Sequence, residues 1–128
     1  FLLDSEMIGE TQPMVNIFMN KMKNEGFRNM IDQDFARLTD NCIDDFLHGN
    51  VKSLFGNVKN LSKVVLKHFK PMIPDSFHQL WEKGIQTNDY YLKLCGSGGG
   101  GYILGFTKDY QKTQKLLKDY KLELVYRF

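Results

Sequence analysis

Proline, cysteine and tryptophan are scarce here, with 3, 2 and 1 in a chain of 128 residues. Cys42 and Cys95 lie far apart, each within an apolar pattern. That excludes a disulfide framework and points to a reducing, cytoplasmic compartment. No apolar run approaches the ~18 residues that span a bilayer, and no signal peptide is visible, so no membrane partner is expected. Charge of one sign is also lacking: the formal net charge is +2, with lysines scattered among acidic residues. A nucleic-acid surface would gather its cations on one face, so no nucleic-acid partner is expected. His48, His68 and His78 show no metal-ligand spacing and are expected at helix ends or on the surface. Asp44 and Asp45 are neighbours, which do not share a helix face, and both are expected in solvent. No metal site and no catalytic residue is assigned within the chain.

What is present is an apolar fraction of 42%, enough for one core. Residues 1–128 are expected to form one domain. Phe1 to Asp4 reads as a strand already under way, which suggests a fragment of a longer protein. Thr11 and Pro13 open a helix, with Thr11 as its expected cap and Met14, Val15, Phe18, Met19 and Met22 at helical spacing. Gly26 is expected to stop it. A second helix from Phe27 carries one stripe of Ile31, Phe35, Leu38, Cys42 and Phe46, and His48-Gly49-Asn50 breaks it. A third buries Val51, Leu54, Phe55, Val58, Leu61, Val65 and Phe69. Pro71 and Pro74 turn the chain into a shorter helix over 76–86, which Gly84 weakens. Strands are expected over 90–95 and 102–107. A helix over 109–120 should turn Tyr110, Leu116, Leu117 and Tyr120 inward, and Leu122 to Tyr126 alternates as a last strand. Cys95 is expected as a small buried residue. With its helices grouped, this order is α+β, a ferredoxin-like β-α-β-β-α-β sandwich whose first crossover is expanded by long helices.

The densest signal is Gly96-Ser97-Gly98-Gly99-Gly100-Gly101, between the strands expected over 90–95 and 102–107. A flexible linker fits poorly, because the 27 residues that follow are too few to fold alone. The spacing satisfies G-x-G-x-x-G, but that fingerprint must open a helix, and here a strand follows. No Gly-Lys-Ser/Thr closes a P-loop. Protein-kinase signatures are absent. What survives is a glycine hairpin whose amides can approach an anion or pack beneath a second loop.

The string Lys93-Leu94-Cys95-Gly96-Ser97-Gly98-Gly99-Gly100-Gly101-Tyr102 closely resembles the third motif of the galactokinase, homoserine kinase, mevalonate kinase and phosphomevalonate kinase (GHMP) superfamily. In mevalonate kinases that motif reads approximately Lys-Leu-Thr-Gly-Ala-Gly-Gly-Gly-Gly. This chain departs with Cys95 for threonine and Ser97 for alanine. Leu2-Leu3-Asp4-Ser5, followed by a helix led by Thr11, resembles the start of that superfamily's C-terminal domain. The likeness covers the whole chain, but only half of a complete enzyme.

The resemblance implies a kinase that moves the γ-phosphoryl group of ATP to a substrate hydroxyl, with mevalonate the first choice of small-molecule substrate. ATP and Mg²⁺ would be held mainly by an N-terminal domain of the same protein, which also carries the catalytic groups. None would be bound tightly by this chain, which alone should be inactive. Residues 96–101 would form one wall of the phosphate site, while Thr11 and Lys93 are substrate-site candidates. A GHMP sugar kinase and a non-catalytic ferredoxin-like binding module are the alternatives. Exposed apolar surface that meets the other domain would also allow a homodimer.

Overall fold

The computed structural model describes residues 1–128. Its architecture is α+β, with an open four-strand antiparallel sheet and its helices packed around it. The chain runs through β1 (Leu2–Asp4), α1 (Thr11–Lys21), α2 (Glu25–Met30), α3 (Ala36–Leu47), α4 (Val51–His68), α5 (His78–Thr87), β2 (Tyr91–Leu94), β3 (Tyr102–Phe106), α6 (Tyr110–Leu116) and β4 (Leu122–Glu123). Strand order is β2-β3-β1-β4, and each neighbouring pair is antiparallel. β1 therefore sits inside the sheet, with Leu3 opposite both Ile103 and Leu122.

Strand alternation divides the sheet into two faces. Leu3, Leu92 and Ile103 face a core cluster that includes Phe69, Ile73, Phe77, Trp81 and Leu117. The indole of Trp81 donates to the Ser62 carbonyl at 3.1 Å, and the Tyr90 hydroxyl donates to the Leu80 carbonyl at 2.9 Å. Both large side chains thus bury their rings with their polar atoms satisfied. A second cluster of Leu54, Phe55, Val58 and Tyr91 packs α4 against the β2 edge.

The structure departs from several local expectations. Gly26 lies inside the first turn of α2 and does not stop α1. Asn24 caps α2 instead, its Oδ1 accepting from the Phe27 amide at 3.0 Å. Glu10 is the N-cap of α1 without a side-chain cap bond, so Thr11 is a helical residue and not the cap. α1 buries no residue fully: Met14, Ile17, Phe18 and Met22 lean on the core, while Val15 and Met19 are exposed. Its apolar residues surround the helix, and spacing alone did not single out the inward face.

The stripe from Ile31 to Phe46 is not one regular helix. Residues Ile31–Phe35 form a π turn between α2 and α3, and the Phe35 ring lies 5.0 Å from that of Phe69. Phe46, at the far end, is exposed. A short 3-10 turn, Asp75–Phe77, precedes α5. Gly84 is buried for a packing reason, since a Cβ there would come within 2.5 Å of Tyr90. α6 ends at Leu116, which is exposed, while Thr113 and Leu117 point inward. β4 stops at Glu123, leaving Leu124, Val125, Tyr126 and Phe128 exposed beyond it.

Candidate functional site

The glycine run joins β2 to β3 and folds back against the chain on both sides. Gly99 donates its amide to the Met72 carbonyl at 2.7 Å, and Gly101 donates to that of Met7 at 2.8 Å. The Ser5 amide returns a bond to the Gly101 carbonyl at 3.0 Å, which prolongs the pairing of β1 with β3. Gly98 donates to the Cys95 carbonyl at 3.3 Å across the turn. The amides of Gly96, Ser97 and Gly100 form no hydrogen bond within the chain.

The bare backbone is required here. Gly98 and Gly99 have φ of 75° and 77°, where side chains other than hydrogen are strained. A Cβ on Gly98 would also meet the Met72 carbonyl oxygen at 2.6 Å, and one on Gly99 would meet Met14 at 2.8 Å. Gly100 lies so close to Gly9 that an added Cβ would stand 2.9 Å from the Gly9 nitrogen. Through Gly9 and Met14, the loop is seated beside the N-terminal end of α1.

That seating brings two sequence candidates together. Exposed Thr11 opens α1 next to residues 96–101, where Ser97 is half-buried. Helix N-termini and unpaired loop amides both present positive partial charge. Glu10 is exposed at the same junction and carries the opposite sign. Lys93 stands apart. It pairs with Leu104, so its side chain leaves the sheet on the face away from Leu92 and Leu94, and its Nζ donates to the Leu94 carbonyl at 3.2 Å.

The remaining candidates are accounted for locally. His48 caps the C-terminus of α3, His68 ends α4 and His78 begins α5, so all three occupy helix ends. Asp44 is exposed, whereas Asp45 is half-buried and accepts from the Asn57 amide at 2.8 Å, so only Asp44 is in open solvent. Cys42 and Cys95 are both free and half-buried, and Cys95 is thus less enclosed than its sequence suggested. Burial and Asp45 push the Cys42 thiol up to about 11, against an opposing pull from Lys93. No group of three or more His, Cys, Asp or Glu side chains is placed to hold a metal ion. No helix is long and apolar enough to cross a membrane.

One feature escaped the sequence reading. The sheet face that carries Lys93, Leu104 and Phe106 opens into a cleft of about 840 Å³, walled by α3, α4 and the C-terminal residues Leu124 to Phe128. Its signal was present in the surplus of apolar residues: Ile43 and Leu47 off the α3 stripe, and both faces of β3. Strands apolar on both faces imply cover on both faces. Comparison of the chain with protein-family models, with curated proteins and with solved structures finds no match.

Proposed function

We propose that this chain is the C-terminal domain of an ATP-dependent small-molecule kinase of the GHMP superfamily, most like a mevalonate kinase, and that it works in the cytoplasm. The observation that carries the reading is the glycine hairpin docked against the start of α1, with the Gly96, Ser97 and Gly100 amides unbonded. Phosphoryl transfer depends mostly on positioning and charge stabilisation. Backbone amides held by a packed loop offer both without a flexible side chain. The antiparallel order β4-β1-β3-β2 supports the ferredoxin-like β-α-β-β-α-β arrangement of that domain.

In this reading ATP and Mg²⁺ are bound mainly by an N-terminal domain, and this chain supplies the wall formed by residues 96–101. Thr11 lies at the acceptor side of the loop. Lys93 opens to the opposite sheet face and, in this reading, takes no part in the acceptor site.

The test is a coupled ADP-release assay of the full-length protein with mevalonate and several hexoses and heptoses. Mevalonate-dependent ADP release is expected, and Gly99→Ala should lower turnover about 100-fold by displacing the loop, with the fold retained. Activity on a sugar alone would move the acceptor to the sugar-kinase branch. ADP release with none of these acceptors would leave a non-catalytic binding module.

A further inference from the structure

The cleft on the second sheet face has the size of a small-molecule site, which is roughly 300–1,000 Å³. Of its 25 lining residues, 17 are hydrophobic. Lys93 rises from the floor of this apolar wall. Its ammonium has three donors, and the one hydrogen bond it makes within the chain goes to the carbonyl of its own neighbour, Leu94. No carboxylate oxygen lies within ion-pair distance of it.

The mouth repeats that imbalance. Lys108 and Arg127 line it without an acidic partner, and the Lys108 ammonium sits 5.3 Å from the centre of the Phe55 ring. The acidic residue in the lining, Asp109, is engaged in capping α6, where its Oδ1 accepts from the Lys112 amide at 2.9 Å. An apolar chamber with a recessed, unpaired cation complements a ligand with one anionic head and a hydrocarbon body.

We propose that this cleft binds a monomeric long-chain carboxylate, with its head on Lys93 and its chain along Ile43, Phe46, Leu104 and Phe106. A free monomer fits better than a lipid surface, because Lys93 is half-buried in a concave wall and a membrane contact needs cations on an exposed face. Each half of the ligand has a reason to stay. The chain removes apolar wall from water, and the head fills donors that the fold leaves open. The site lies on the other side of the sheet from the glycine hairpin and does not depend on the kinase reading.

Calorimetric titration of the full-length protein with dodecanoate, dodecanol and dodecyltrimethylammonium, all below their micelle concentrations, tests the proposal. Dodecanoate should bind most tightly and the cation least. Lys93→Met should weaken dodecanoate at least about 10-fold, the scale of one charge-assisted hydrogen bond, while leaving dodecanol unchanged. Lys93→Arg should restore most of the loss. Saturating dodecanoate should also slow maleimide labelling of Cys42, which lines the same wall. Equal affinity for all three amphiphiles, an unchanged Lys93→Met titration, or binding only to dioleoylphosphatidylglycerol vesicles would each overturn it.

Discussion

On one face of the sheet, Leu3, Leu92 and Ile103 are at most 1% exposed and share a cluster with Trp81 and Phe77. On the other, Lys93, Leu104 and Phe106 are half-buried and look into a cleft that α3 and the C-terminal residues only partly close. The strands are the same, and the difference lies in what covers them. The first face meets side chains that interlock and leave no comparable space. The second meets α4 only at the β2 edge, through buried Tyr91, and beyond it a helix whose own apolar residues, Ile43, Phe46 and Leu47, remain exposed. Stability is therefore concentrated on one side of the sheet, and room for a ligand lies on the other.

Truncating one large side chain on each face should separate the two most widely. Trp81→Ala should cost about 3–5 kcal/mol in urea unfolding, since it empties a fully buried site and removes the indole's hydrogen bond to the Ser62 carbonyl. Phe106→Ala, beside the cleft, should cost about 1–2 kcal/mol, because its surroundings are already open. Equal losses would mean that the two faces carry equal weight.

Within the glycine hairpin, a smaller contrast separates packing from conformation. Gly98→Ala should destabilise by about 2–3 kcal/mol, since its φ is strained and the Met72 carbonyl cannot give way as a side chain would. Gly96→Ala shares the positive φ, but nothing lies within 4 Å of its added Cβ, so about 1 kcal/mol is expected. Thermal melts of the two variants decide whether the loop is held by docking or only by turn geometry.

Alkaline titration compares the faces through one group on each. Burial raises the Tyr90 hydroxyl to about 12 and the Cys42 thiol to about 11. Both folded-state values lie above the ordinary ones of 10.0 and 9.0. The folded chain therefore keeps protons that the unfolded chain has released, and stability falls as pH rises from about 9 to 12. A loss on the order of 1 kcal/mol per group is expected. Cys42→Ala should remove the part between about 9 and 11 and leave the Tyr90 part.

The smallest effect has the opposite sign. The Ser62 hydroxyl is buried without a hydrogen-bond partner. Ser62→Ala should stabilise the chain by about 1 kcal/mol in the same urea titration. A loss of stability would show that the hydroxyl is satisfied in solution.

Much of the element order was legible because periodicity reports local demands. Leu54, Phe55, Val58, Leu61 and Val65 mark the buried side of α4, and all five are buried. β2 and β3 fall inside their apolar runs on either side of the glycines. Reading failed where residues answered to distant partners. Gly84 looked like a helix weakness and proves to make room for Tyr90. Leu124 to Tyr126 has the alternation of a strand, but β4 ends at Glu123 and those residues wall the cleft instead. The site divided in the same way. The glycines announced a hairpin, whereas the docking of Gly99 and Gly100 on Met14 and Gly9 joined it to Thr11 and left Lys93 on the other face.

Most of the helices, the two strands that flank the glycines and a loop that must run without side chains are written in the sequence alone. These follow from side-chain period and backbone freedom, which act over a few residues. The order β2-β3-β1-β4, the loop amides left unpaired and the sheet face that is sealed come from contacts across the fold. Those outcomes depend on contacts between segments more than a hundred residues apart, such as the pairing of Phe1 with Gly105 and of Leu2 with Glu123. No local pattern encodes such a pairing, because its energy exists only once both partners are in place.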